Sequence, residues 1–211
     1  MTNGVFITFE GIEGSGKSLQ ARLLASALQA RGRRVLLTRE PGGTPLGDHL
    51  RQLLLARDDL EVGPRAEALL MNASRAQLID NVIRPALDRG DVVVCDRFGA
   101  STLVYQGAGR NLDIQSLSTV ISFATAGLQP DLTVLLDLPV EVGLARKNNR
   151  EEWNRFEAET REFHERVRQA YLALARADPR RWHCFDGGRP AAELAQEIQA
   201  RVAAHMGLQS R

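Results

Sequence analysis

The stretch VFITFEGIEGSGKS, Val5 to Ser18, decides how the rest of the chain is read. Its second half, Gly11-Ile12-Glu13-Gly14-Ser15-Gly16-Lys17-Ser18, has the spacing G-x-x-x-x-G-K-[ST] of a phosphate-binding loop, in which backbone amides and one lysine cradle a polyphosphate. The first half is a short apolar run. After the motif, Leu19 to Ala30 carries leucines at helical spacing and stops at Arg31-Gly32. Strand, loop, helix is the context that the motif requires. In such a loop Lys17 reaches the β and γ phosphates and Ser18 ligates magnesium. Glu13 is the anomaly, an acid inside an anion-binding nest.

Outward from this unit, Arg34 to Thr38, Val92 to Asp96, Leu132 to Asp137 and Trp182 to Phe185 read as further strands. Helical patterns fill the intervals, over 46–56, 66–89, 113–126, 141–146, 158–177 and 191–206, with Thr44-Pro45 as an N-cap and first-turn proline for the first of them. This alternation predicts an α/β fold, a parallel sheet covered by helices. With no repeat, linker or low-complexity tract, it predicts one domain over 1–211. Ligands of open parallel sheets bind beyond the carboxyl ends of the strands. That rule brings together the phosphate loop, Arg39-Glu40-Pro41-Gly42-Gly43-Thr44, Cys95-Asp96-Arg97-Phe98 and Leu136-Asp137-Leu138-Pro139.

Asp96 is a strand-end carboxylate able to hold magnesium, and a helix N-cap is its competing reading. Asp137 is the rival for the metal; the neighbouring Arg97, suited to bidentate phosphate binding, favours Asp96. Arg51 and Arg75 read singly as solvated charges on helix faces. The segment 146–161 is the most charged, with Arg146 and Arg150, and Glu151 and Arg155, each four apart. It is either a salt-bridged exposed helix or an arginine lid closing over a transferring phosphate.

Composition bounds the rest. In a chain of 211 residues, 44% hydrophobic, a full core can form, and a formal charge of +1 gives no nonspecific grip on nucleic acid or anionic membrane. The start has no basic region and no apolar run reaches membrane-spanning length, which predicts a cytoplasmic location without membrane partners. Cys95 and Cys184 read as buried small hydrophobes, and His49, His164, His183 and His205 as surface or packing residues without ligand spacing. Of 27 basic residues only Lys17 and Lys147 are lysines, so Lys17 marks a place where a compact ammonium is required.

Taken in order, FEGIEGSGKS, TREPGGTPLG, SRAQL, DRF followed by YQGAGR, PDLTVLLDLPVEVGLAR and NRFEAE resemble bacterial thymidylate kinases over nearly the whole chain. The resemblance implies a P-loop NTPase three-layer sandwich, a five-stranded parallel sheet flanked by helices, with a short arginine-bearing lid at about 146–158. It implies transfer of the γ-phosphate of ATP to dTMP, giving dTDP and ADP for dTTP synthesis, with Mg2+ on Ser18 and Asp96. ATP lies on Gly11, Ile12, Glu13, Gly14, Ser15, Gly16, Lys17, Ser18 and Arg146. The dTMP phosphate falls among Arg39, Arg51 and Arg97, the deoxyribose against Tyr105, and the pyrimidine edge on Arg75, Thr102 and Gln106. Glu13 then points to the acceptor sugar hydroxyl. Lys17, Arg97, Arg150 and Arg155 are the expected catalytic charges, since some relatives carry a basic residue at the loop position that is Gly14 here. The family also implies a homodimer. One departure concerns the base: relatives place phenylalanine, which stacks on thymine, where this chain has Met71 followed by Asn72. Two alternatives stand beside this reading. One is a P-loop kinase for another nucleoside monophosphate or a deoxynucleoside; the other is a nucleotide-dependent switch protein, which the lack of an Asn-Lys-x-Asp motif disfavours.

Overall fold

The computed structural model describes residues 4–56, 61–148 and 154–207. Five strands, β1 (Val5–Glu10), β2 (Val35–Arg39), β3 (Val92–Asp96), β4 (Leu132–Asp137) and β5 (Trp182–Asp186), form one sheet in the order β2-β3-β1-β4-β5. Every pairing is parallel, with Phe9 opposite Asp96 and Glu10 opposite Leu135 at the carboxyl ends. The central strands are buried except at one end residue each because helices cover both faces, which explains their apolar runs.

Side-chain alternation divides the core into layers. Ile7, Phe9, Val92, Val94 and Val134 pack with Leu24 and Leu28 of α1 (Lys17–Ala30) and with Leu194 and Ile198 of α9 (Ala191–His205). On the opposite face Phe6, Val93 and Cys95 meet Leu78 at the end of α3 (Pro64–Leu78). Leu135 and Leu138 there meet Phe163, Val167 and Tyr171 of α8 (Arg161–Ala177). Between β2 and α3 lies α2 (Pro45–Leu55), opened by Thr44, whose hydroxyl accepts from the amide of Gly47 at 3.0 Å.

The helical pattern over 66–89 is interrupted. A π-helical turn at Ile79–Ile83 separates α3 from α4 (Arg84–Asp88), just ahead of Pro85, which has no N–H to donate to the preceding turn. A second π-helical stretch, Leu103–Gly109, continues α5 (Gly99–Thr102) and carries Tyr105 and Gln106. A side chain at Gly109 would come within 2.5 Å of the Phe163 ring, so glycine lets this stretch lie against α8. The chain then runs through α6 (Ile114–Thr125) to β4, and α7 (Val140–Asn148) leads toward the expected lid. Cys184 departs from expectation: it lies on β5, at the sheet edge, and is exposed, whereas Cys95 on β3 is buried.

Candidate active site

The carboxyl ends of β1, β2 and β3 open on one crevice of about 1300 Å³, lined from the phosphate loop across to Arg39, Arg75 and Gln106. At one end, Lys17 Nζ donates to the Ile12 carbonyl at 2.7 Å and to Ser15 Oγ at 3.3 Å, so the loop wraps its own ammonium. Burial, followed by the positive charge of Arg97, brings Lys17 down to about 8. The Ser18 hydroxyl donates to Asp96 Oδ2, joining the first turn of α1 to the end of β3. Asp137 is engaged elsewhere, held by Arg168 Nε and Nη2 at 2.7 and 3.0 Å. Among the described residues no group of three or more His, Cys, Asp or Glu side chains forms a metal cage, so a hard cation on Ser18 and Asp96 must draw its remaining oxygens from phosphate or water.

Arg97 occupies the middle of the crevice. Its backbone is in the left-handed region at φ 75°, uncommon for a side chain of this size, and its guanidinium is fixed on all sides. Nη2 donates to Glu13 Oε1 at 2.9 Å and Tyr105 Oη at 3.1 Å; Nη1 donates to the Gly11 carbonyl at 3.1 Å and Tyr171 Oη at 3.2 Å. Glu10, buried beneath, accepts from Phe98 N, Ser101 Oγ and Tyr171 Oη at 2.7–2.8 Å, and burial raises its carboxyl despite them.

Glu13 accepts from Tyr105 Oη at 2.7 Å as well as from Arg97. Burial alone would raise its carboxyl; Arg97, then His164, Lys17 and Tyr105, outweigh burial and hold it well below the usual carboxylate range. Its Oε2 has no hydrogen-bond partner among the described residues and lies 3.5 Å from His164 Nδ1. The acid in the phosphate loop is therefore a charged group turned away from the loop amides, toward Arg97 and Tyr105.

Three guanidinium groups converge next to it. Burial and the neighbouring Arg39 and Arg97 lower the Arg51 guanidinium, the repulsion expected of a cluster built to receive an anion. Arg51 Nη1 is held by the Pro41 carbonyl at 3.0 Å, and Arg39 is 3.7 Å from Asp48. Beyond them Arg75, 2% exposed, is clamped by Glu40 at 2.7 Å, Asn72 Oδ1 at 2.7 Å, Thr102 Oγ1 at 3.1 Å and the Phe98 carbonyl at 3.2 Å. Burial pushes Glu40 up to about 7 against the pull of Arg75.

A family model described as Thymidylate kinase matches residues 9–198. The thymidylate kinase of Pseudomonas fluorescens (strain Pf0-1) is 49% identical over 94% of this chain and 95% of its own. That of Deinococcus radiodurans is 49% identical over 96% of this chain and 98% of its own. The chain belongs to the thymidylate kinase family. It is accordingly a phosphotransferase. Among solved structures, thymidylate kinase from Ehrlichia chaffeensis superposes with a TM-score of 0.77 at 31% identity, covering 95% of this chain and 99% of that one.

Most of the family residues expected from sequence meet in the crevice: Glu13, Gly14, Ser15, Gly16, Lys17, Ser18, Arg39, Arg51, Met71, Arg75, Asp96, Arg97, Thr102, Tyr105, Gln106 and Arg146 all line it. Arg146 Nη1 donates to the Gly187 carbonyl at 2.9 Å and that of Gly14 at 3.4 Å, bridging the phosphate loop to the turn after β5. Gly11 and Ile12 contribute backbone carbonyls instead of lining, and Ile12 is a core side chain. Arg155 does not fit the lid expectation: it pairs with buried Glu67 and lies over the Phe156 ring, outside the crevice lining. A carboxylate as deeply buried as Glu67 requires such cations. Arg150 lies outside the described residues. Arg75 is not the solvated helix charge that its isolated reading suggested, and His164, read as surface or ordinary packing, stands against Glu13. Its signal was its place on the apolar stripe of α8, with Val167 and Tyr171 at i+3 and i+7. Glu67 and Tyr171 carried no motif, and Glu10, although inside FEGIEGSGKS, was given no role.

Proposed function

We propose that this crevice transfers the γ-phosphate of MgATP in line to the phosphate of dTMP, with Lys17 and Arg97 as the principal fixed charges on the transferring group. Phosphorylation of dTMP is the activity of the family to which the chain belongs. The observation that carries the detailed reading is the position of Arg97, fixed between Glu13 of the phosphate loop and the anion-receiving pair Arg39 and Arg51. A donor phosphate at Lys17 and an acceptor phosphate at Arg39 and Arg51 then meet at one guanidinium. Such a layout lowers the barrier through positioning and preset charge, without a covalent intermediate.

The remaining residues divide the two substrates. Ser18 and Asp96 offer adjacent oxygens that suit Mg2+ together with phosphate oxygens, and the ion when bound neutralises charge on the β and γ phosphates. Gly14, Ser15, Gly16 and Arg146 bound the ATP end, and Gly187 and Gly188 extend it toward the adenine. Glu13 and Tyr105 face the deoxyribose, and Arg75, Thr102, Gln106 and Met71 the base. The exposed Phe123 on α6 supports the expected homodimer.

The test is ADP release from ATP across a panel of nucleoside monophosphates, with the wild-type protein and Lys17→Ala. The expected outcome is dTMP as the preferred acceptor and a loss in kcat of about a hundredfold or more in the variant. A different preferred acceptor, or a variant within a few-fold of wild type, overturns the reading.

A further inference from the structure

We infer that Glu67 is a positioning residue for base selection: it holds the Gln106 amide with its carbonyl oxygen toward the ring position that separates thymine from cytosine. The inference rests on the proposed placement of the base at Gln106.

The two side chains are buried, and Gln106 Nε2 donates to Glu67 Oε1 at 2.7 Å. Gln106 lines the crevice and Glu67 does not. The amide nitrogen therefore faces into the protein, and the amide oxygen, on the other side of the planar group, faces the ligand space. The partner's chemistry fixes which end of the amide points which way. Glu67 also receives Arg110 Nε and Nη2, each at 3.4 Å, and Arg155 Nη2. A carboxylate facing two guanidinium groups only accepts hydrogen bonds, so reversing the amide would set oxygen against oxygen.

The consequence is chemical. Thymine presents N3–H, a donor, whereas cytosine presents an unprotonated N3, an acceptor. An amide free to turn would serve both. One pinned by Glu67 accepts from thymine and meets cytosine with a second acceptor. A site whose polar groups are committed in this way rejects the mismatched analogue far more strongly than shape does. Ion pairs with Arg110 and Arg155 hold Glu67 in place, which gives Arg155 a task on the acceptor side.

The test measures KM and kcat for dTMP and dCMP with the wild-type protein, Glu67→Gln, Gln106→Leu, and the exchanged pair Glu67→Gln/Gln106→Glu, after circular dichroism and melting establish folding. Glu67→Gln should raise the KM for dTMP about tenfold with kcat within about threefold, and the preference for dTMP over dCMP should fall by about tenfold. The exchanged pair should regain the preference, since a carboxylate at 106 accepts both from the amide at 67 and from N3–H. If Glu67 serves only as a counter-ion for the arginines, melting temperature falls while the dTMP to dCMP ratio stays, and the inference is overturned. A ratio that moves in Gln106→Leu but not in Glu67→Gln overturns this inference alone; a ratio unmoved in both means that the base lies elsewhere. Should neither Glu67 variant fold, Glu67→Asp, which keeps the carboxylate but withdraws it from the Gln106 amide by one methylene, takes their place. A dTMP to dCMP preference that falls several-fold supports the inference, and an unchanged preference with a lowered melting temperature overturns it.

Discussion

Met71 stands half-buried on α3 and lines the crevice, packed with the cluster that holds Tyr105 and Phe156. Its neighbour Asn72 lies outside the crevice lining: Nδ2 donates to the Ala68 carbonyl at 2.8 Å, and Oδ1 accepts from Arg75. On the proposed placement of the base, Met71 puts a thioether where the family resemblance implies a ring. Stacking a base on an aromatic side chain contributes about 1–3 kcal/mol, against about 0.3–1.5 kcal/mol for sulfur on a ring. The difference, roughly 1 kcal/mol, is a several-fold change in affinity. Because the base is remote from the transferring phosphate, it acts equally in ground and transition states. Met71→Phe should therefore lower the KM for dTMP several-fold at nearly constant kcat, and steady-state kinetics with an unchanged or raised KM would show that the base does not lie on residue 71. At this scale, legibility followed chemistry that is local in sequence. The phosphate loop and the Asp96-Arg97 step were readable because neighbouring residues act together. Glu67, His164 and Tyr171 were not, because each works through contacts with segments distant in sequence.

At the scale of elements, the strands and most helix limits were readable, since apolar runs and periodicity report burial directly. The π-helical turn inside 66–89 was not, because a wider turn keeps nearly the same hydrophobic pattern; the helix over 99–109 was missed altogether, since Gly99, Gly107 and Gly109 weaken its helical signal. The phosphate loop and α7 meet more closely than either pattern implies. Gly14 has φ 72°, and a Cβ there would lie 2.1 Å from the Gly143 carbonyl oxygen of α7. In this chain Gly14→Ala combines a left-handed backbone with a clash against main chain, costing about 1–3 kcal/mol. It should lower the melting temperature by several degrees and raise the KM for ATP more than that for dTMP, because the displaced α7 carries Arg146. Equal effects on both substrates, or wild-type melting, would mean that α7 yields freely.

At the scale of the whole molecule, a crevice beyond the ends of β1, β2 and β3 was readable from topology, but the end of β4, Leu136 to Pro139, expected there too, lies outside its lining, and the strand order became visible only in the fold. One surface feature bears on the expected homodimer. Phe123 on α6 is 89% exposed, and Leu69 on α3, which packs against α6, is 58% exposed. On the same stripe of α6 as Phe123 lie Ser116 and Thr119, small side chains at i−7 and i−4 that allow another helix to approach closely. A large apolar side chain so fully in water fits the expected homodimer. In a two-fold interface each residue occurs twice, so Phe123→Glu removes two buried rings, about 1.5–3 kcal/mol each, and sets two like charges near the axis. The dissociation constant should then rise about a hundredfold or more. Sedimentation velocity across a concentration series should give a wild-type dimer and a variant monomer at micromolar protein. A wild-type monomer would remove the dimer, and a variant dimer of unchanged affinity would move the interface away from α6.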